Sequence, residues 1–229
     1  MMKNVINLVL GILVVMMISL AGCGGGGGGA TNPVVANTTS YPTSKILPSV
    51  ATSTTSFTLT GSDTSGGSWT GSMQMRGDGP TVFEGQNVTK MSQAITLTLA
   101  GGSTASSTIA SYYKSDGVLY KSIYSGSVSG TAVQTNSVTM PATLKIGDFA
   151  SGPSLSLNLN GTTDSVTTTY QVLDAGNGNA RLVSTLTYQV ANYSATTEYT
   201  IAPSGDVLSL KMILYYPSPN MTVTLNGTR

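Results

Sequence analysis

From Phe57 to the C-terminus, apolar residues return at every second position, and this period limits the fold more than any other feature. Leu155, Leu157 and Leu159 alternate with Ser156, Asn158 and Asn160. Leu182, Leu186, Tyr188 and Val190 fall on one face and Thr185, Thr187 and Gln189 on the other. Leu208, Leu210, Met212 and Leu214 alternate with Ser209 and Lys211, and Met221, Val223 and Leu225 with Thr222 and Thr224. Ile95, Leu97 and Leu99 repeat the pattern in the first half. A strand sends successive side chains to opposite faces, so each run buries one face and wets the other. Only Lys90 to Ala94 could hide a helical turn. Turn signals separate the runs: Asp78-Gly79-Pro80, Asp116-Gly117, Asn160-Gly161, Asn177-Gly178 and Ser204-Gly205-Asp206. Asp-Gly and Asn-Gly supply the positive φ that tight hairpins require. The pattern predicts an all-β domain, an antiparallel meander of about 10–12 strands built as a curled sheet or half-barrel, a barrel or a sandwich. A faint echo links Phe57–Gly61 to Leu157–Gly161, and Tyr113–Leu119 to Tyr199–Leu208; a duplicated half-sheet would give it, but any Thr-rich meander echoes itself, and that plainer reading is preferred.

The N-terminus has a different character. Lys3 precedes an apolar run from Leu8 to Leu20, the layout of a secretory leader. The run is shorter than the roughly 20 residues a spanning helix needs. It ends in Leu20-Ala21-Gly22-Cys23, and here the chain resembles bacterial lipoprotein precursors. The resemblance implies that Leu20, Ala21 and Gly22 fit the processing enzyme and that Cys23 becomes the first residue of the mature chain. It also implies a covalent diacylglycerol on the Cys23 thiol and an acyl chain on its amine, with no other cofactor. In that class an Asp after the Cys often marks retention at the inner membrane; Gly24 stands there, which favours the outer membrane of a Gram-negative envelope. Three units are expected: a signal peptide over 1–22, a lipidated Cys and Gly/Ser/Thr-rich tether over 23–56, and one all-β domain over 57–229.

Cys23 is the only cysteine, so no intrachain disulfide can form. The domain is long enough to hold without one. Once Lys3 leaves with the leader, nine basic residues face nine acidic ones. That balance argues against nucleic acid and against polybasic docking on membranes. Hydroxyls and amides keep the surface wet in place of charge.

The chain has no histidine, which removes the Ser-His-Asp and Cys-His arrangements and the usual zinc ligands. A carboxylate pair of the kind glycosidases use would draw on Asp63, Asp78, Glu84 and Glu198. Asp174 to Asn179 offers oxygen ligands but reads first as an Asn-Gly hairpin, and no metal is expected. Arg76-Gly77-Asp78 is a tripeptide that some adhesion ligands display. Trp69 and the tyrosines, including the pairs Tyr112-Tyr113 and Tyr215-Tyr216, suit core packing or edge decoration before a sugar platform, and the methionines suit core filling.

The expected role is a membrane-anchored envelope protein without catalysis, an interaction or structural module. Its partners would be the membrane, through the lipid, and an envelope protein, glycan or lipid. The alternative is a carrier for an apolar ligand, with Leu186, Tyr188, Leu210 and Met212 lining a cavity; a closed core at those positions speaks against it. A hydrolase of envelope polymers comes third. A transmembrane barrel is set aside, because the runs look shorter than the about 9–11 residues its strands need, Gly and Thr interrupt them, and the sequence ends Asn226-Gly227-Thr228-Arg229 without a terminal aromatic.

Overall fold

The computed structural model describes residues 39–43, 54–217 and 220–229. The leader, the lipobox with Cys23 and most of the predicted tether lie outside these residues. The strands are β1 (Tyr41–Pro42), β2 (Thr54–Asp63), β3 (Ser68–Phe83), β4 (Gln86–Leu99), β5 (Thr104–Tyr113), β6 (Leu119–Gly126) and β7 (Gly130–Gln134). Then follow β8 (Thr143–Leu144), β9 (Phe149–Leu159), β10 (Thr162–Gly176), β11 (Asn179–Tyr188), β12 (Ser194–Ile201), β13 (Val207–Tyr216) and β14 (Met221–Thr228). Twelve of them close a barrel, each antiparallel to its neighbours, and β14 joins β2 at the seam; β1 and β8 form a separate two-stranded sheet. Of the arrangements the alternation allowed, the chain adopts the closed barrel. Closure removes the edge strands that an open meander would expose.

The period-two pattern makes the barrel apolar inside. Leu59, Leu97, Val166, Leu182, Met212, Val223 and Leu225 are almost fully buried. The largest fully buried side chains are Trp69, Tyr41, Tyr124, Tyr199, Tyr216 and Phe57. Eight strands make a barrel that side chains just fill, so twelve demand such long side chains to reach the axis. The outer wall is held by hydroxyl pairs between strands, such as Thr96–Ser106 (2.9 Å), Thr98–Thr104 (2.9 Å) and Thr200–Ser209 (3.0 Å). The expectation of short strands fails, since β2, β3, β4, β5, β9, β10, β11 and β13 each have 10 residues or more. The contrast with a spanning barrel, which has an apolar band outside and a polar interior, is in how the faces are divided.

The hairpins divide between two ends. The far end carries the β2–β3, β4–β5, β6–β7, β9–β10, β11–β12 and β13–β14 turns. The other end carries the remaining turns, the C-terminus and the β7–β9 connection, and it is capped. There Tyr41 Oη donates to the Gly178 carbonyl (2.9 Å), and Thr43 N and Oγ1 donate to Ala142 O (3.0 Å) and Pro141 O (2.7 Å). Pro42 lies against Gly205, whose φ of 80° and lack of a side chain both suit the contact. The fold therefore reaches into the stretch read as tether: Tyr41 is fully buried, and β2 begins at Thr54.

Four local expectations are corrected. Lys90–Ala94 is strand, inside β4. Asp78-Gly79-Pro80 is no turn but a bulge within β3, and the chain reverses later at Glu84 (φ 49°) and Gly85 (φ 75°). Leu208 is 44% exposed, because a register shift at Thr200/Ile201 puts Val207 inside and turns Leu208 out. Val190 is also exposed, because β11 ends at Tyr188 and the Val190 N–H is taken by Asp164.

The sequence echo has a structural counterpart. Phe57–Gly61 lies within β2 and Leu157–Gly161 ends β9 and enters its turn, so the echoed residues fall in the first strand of each six-strand half, β2–β7 and β9–β14, though not at the same place in it. In each half the second strand is the longest (16 and 15 residues) and carries a bulge near its end. In each, a two-residue turn with two positive-φ residues follows, Glu84-Gly85 and Asn177-Gly178. The fourth hairpins match as well: Gly117 N donates to Lys114 O, and Gly205 N to Ala202 O.

Candidate functional site

The interior is the first candidate. Leu186, Tyr188, Leu210 and Met212 all point into it and are 0–5% exposed. Leu186 and Met212 have no exposed surface and Tyr188 and Leu210 almost none, although Leu210 also lines a groove of about 470 Å³ with Arg181, Glu198 and Lys211. All four are packed against the rest of the core, as a filled lumen requires. The lumen nevertheless contains polar groups. Thr168, Ser184 and Thr197 form one patch on β10–β12, and Gln93, Ser111 and Ser122 another on β4–β6. Ser111 and Ser122 bond each other (2.8 Å). Gln93 Oε1, Thr168 Oγ1, Ser184 Oγ and the hydroxyls of Tyr124 and Tyr199 are buried without a hydrogen-bond partner among the described residues. Such atoms are rare in folded proteins. Burial holds the phenols of Tyr113, Tyr124, Tyr188, Tyr199 and Tyr216 above the ordinary tyrosine range. At the far end, Tyr193 packs on Tyr188 and Tyr216, with ring centroids 6.4 and 5.3 Å apart.

The second candidate is a groove of about 640 Å³ on the outer wall of β3–β6. Ala94, Ala110, Ser92 and Thr108 line it, with Tyr112 and Ile123 beside them. Small side chains make the depression. Arg76, Lys90 and Asp78 also line it. Asp78 binds Arg76 Nε (3.0 Å) and Lys90 Nζ (3.3 Å) and accepts from Ser92 Oγ. Desolvation opposes the charge on Asp78, but Ser92, Lys90 and Arg76 outweigh it and lower its pKa. The Arg76-Gly77-Asp78 tripeptide is thus folded onto itself in a bulged strand. Sequence reasoning missed the groove; the small outward residues Ala94, opposite Thr108, and Ala110, opposite Ser92, were its signal.

Beside the groove, the end of the β3–β4 hairpin leans onto β5–β6. Phe83 stacks on Tyr112 at 3.8 Å, with 7° between the rings, and meets the edge of Tyr120 at 6.3 Å. Glu84 accepts from Lys121 Nζ (2.5 Å) and Tyr120 Oη (3.0 Å). These bonds lower the Glu84 pKa and raise those of Tyr120 and Lys121.

The four carboxylates considered for catalysis occupy separate sites. Asp63 closes the β2–β3 turn at the far end: Oδ1 accepts from Ser65 N (2.9 Å), Ser65 Oγ (2.5 Å) and Gly67 N (2.9 Å), and Oδ2 from Trp69 Nε1 (2.8 Å). Asp78 and Glu84 are engaged as described, and Glu198 faces Arg181 on the wall (3.6 Å). Asp174 accepts from Gly176 N (2.8 Å) within its hairpin. Among the described residues no three acidic, His or Cys side chains gather as a metal site would need. The aromatic pairs divide as strand geometry requires: Tyr113 and Tyr216 point inward, Tyr112 and Tyr215 outward. Set against known proteins, the chain matches no family model, no curated protein and no solved structure at a significant level.

Proposed function

We propose that the chain is a lipid-anchored envelope protein whose barrel is a non-catalytic module acting through its outer surface. The observation that carries this reading is how the barrel divides its residues. Its apolar faces are spent on a packed interior, which leaves an outer wall of hydroxyls, amides and a few paired charges. Each acidic side chain singled out for catalysis is already committed to a turn or an ion pair. The lipobox supplies the anchor: Leu20, Ala21 and Gly22 direct processing, and Cys23 carries diacylglycerol and an acyl chain. Gly24 favours the outer membrane, with the barrel facing periplasm or cell surface. The partner would be an envelope protein or glycan.

Two measurements test this. The intact mass of protein extracted from membranes should match a chain starting at Cys23 plus its acyl chains, and Cys23→Ala should abolish incorporation of labelled fatty acid. Crosslinking of the lipoprotein in its own envelope should then recover a discrete partner bound to wall or hairpin residues; its absence would count against an interaction role.

A second reading, an apolar-ligand carrier, draws on the unpartnered lumen hydroxyls, which a ligand's polar group could satisfy. The tight packing of Leu186, Leu210 and Met212 opposes it. Native mass spectrometry of a periplasmic chain starting at Thr39, which retains the Tyr41 cap, decides it. A co-purifying lipid mass supports a carrier, and a clean apo mass removes it.

A further inference from the structure

We infer that the barrel stands on the bilayer by its capped end, with the rim of that end in contact with the lipid headgroups. The inference rests on the lipid-anchor reading above and adds an orientation and a contact surface to it.

The first observation is where the chain comes in. Residue 39, the first described after Cys23, leads directly into the cap, and β2 starts at the same end. Tyr41 and Pro42 hold that segment to the β10–β11 and β12–β13 hairpins, so the anchored part of the chain leaves from this rim. Strands of 10 residues, such as β11, make a barrel roughly 25 Å tall at the usual tilt. Turning the far end to the membrane would make the tether run that height before reaching lipid.

The second observation is charge. Every Lys and Arg among the described residues lies in the capped half. Lys114, Lys145 and Arg229 are at the rim; Arg76, Lys90, Lys121, Arg181 and Lys211 are on the adjoining wall. The far half has only Asp63 and Asp164, both carboxylates consumed by turns. The rim itself sets Glu84, Asp116, Asp148, Asp174 and Asp206 against Lys114, Lys145 and Arg229, so neither end is cationic. What distinguishes the capped half is that cations are present there to meet phosphates, while the far half offers carboxylates alone.

The third observation is exposed apolar surface. Phe149 (68%) and Val82 (67%) are the most exposed large apolar side chains at the capped end, with Leu208 and Val133 also on its side. Single exposed apolar residues are ordinary, and the far end has its own in Val190 and Tyr215. Only the capped end combines them with cations and the anchored chain. Phe149 and Val82, at the same end as Lys145 and Lys114, suit an interface in which apolar tips enter about 5–10 Å and ammonium groups stay with the phosphates.

The test uses full-length lipidated protein in vesicles of phosphatidylethanolamine and phosphatidylglycerol doped with spin-labelled lipid. Phe149→Cys, Val82→Cys and Val190→Cys variants each receive an environment-sensitive fluorophore; acylated Cys23 does not react. The expected result is quenching of about twofold or more at positions 149 and 82 and none at 190. Quenching at 190 alone, at all three positions equally, or at none overturns the orientation. Flotation with the vesicles is read on the same samples. Failure to float defeats the anchor reading and the orientation together; flotation without quenching at 149 and 82 defeats the orientation alone. Hydrogen exchange of the unmodified lipoprotein gives an independent readout, with slowing on vesicles expected around residues 80–85 and 145–149 and absent at the far-end turns.

Discussion

Replacing Asp63 by Asn keeps the size of the side chain and removes its charge, and the structure sets what that should cost. Trp69 is 1% exposed, and its indole N–H has the Asp63 carboxylate as partner at 2.8 Å. An Asn oriented to accept from Ser65 and Gly67 turns its own NH₂ towards that indole, which leaves a buried donor facing a donor, at about 1–3 kcal/mol. The weakened bonds to Ser65 and Gly67 add about 0.5–1 kcal/mol, kept small because the turn is in water. A total near 3 kcal/mol should lower the melting temperature by roughly 6–12 °C for a domain of this size. Trp69 is the single tryptophan, so urea unfolding can be followed by its fluorescence, with circular dichroism as control. The effect has a pH signature. Burial opposes ionisation of Asp63, but the bonds from Ser65, Trp69 and Gly67 prevail and lower its pKa. A depressed carboxylate contributes stability above its unfolded pKa of about 4 and loses it as pH falls through the folded value. The gap between wild type and Asp63→Asn should therefore be full at pH 7 and shrink below pH ~4. A difference under about 0.5 kcal/mol at pH 7, or a gap that widens in acid, would refute the account of this turn.

Further outcomes follow from the barrel. Met212→Ala, at a fully buried site, should cost about 2–5 kcal/mol, while Leu208→Ser on the bulge should change stability by less than ~0.5 kcal/mol, both read by urea denaturation. Gly61→Ala should prevent closure of the β14–β2 seam, because a Cβ there would collide with the Thr224 carbonyl; loss of the cooperative thermal transition checks it. Tyr41→Phe, which loses the bond to Gly178 O, should cost about 1 kcal/mol and raise hydrogen exchange in the cap and its two hairpins more than at the far end. In alkali, Tyr113, Tyr124, Tyr188, Tyr199 and Tyr216 stay protonated in the fold while the unfolded chain ionises near pH 10. Stability should fall by about 1.4 kcal/mol per pH unit for each such tyrosine above that point, and phenolate absorbance should rise together with unfolding.

The strands were legible because burial on one face leaves a local mark: Ile95 to Leu99 and Met221 to Leu225 point inward as the alternation requires. The inward direction of Leu186, Tyr188, Leu210 and Met212 followed from the same rule. Closure was not legible. It depends on β14 meeting β2, and the Thr222–Thr64 bond at that seam joins residues 158 positions apart. A half-barrel and a barrel give the same alternation strand by strand. Bulges escaped for a related reason. Inserting one residue shifts the phase, so Leu208 looked like the start of its inward row although Val207 fills that place. Asp78-Gly79-Pro80 has turn chemistry, but β3 and β4 remain paired past it to Phe83 and Gln86. Tyr41 lies in a stretch whose composition suggests a tether, and only its contact with Gly178 reveals that it belongs to the fold.

The two halves of the barrel repeat one plan, and their differences concentrate at the capped end. Six strands separate matching elements in a ring of twelve, so the β3–β4 hairpin lies across the rim from β10–β11, and β5–β6 across from β12–β13. In the second half, both hairpins hold the N-terminal segment through Gly178 and Gly205. In the first half the corresponding hairpins hold each other: Phe83 lies on Tyr112, and Glu84 binds Lys121 beside the outer groove. One half is thus occupied by the chain's own attachment, and the other presents an aromatic and charged arm that is not. If the two began alike, the attachment has used up the second half's rim. With the rim against the bilayer, the surface free for another molecule is the wall beyond it, where the groove of about 640 Å³ with Arg76, Lys90 and Tyr112 in its lining exceeds the one of about 470 Å³ on β10–β14. Crosslinks from the envelope partner should accordingly fall on β3–β6 rather than on β10–β13, and a partner mapped to the second half would show that the division of labour between the halves has been read the wrong way round.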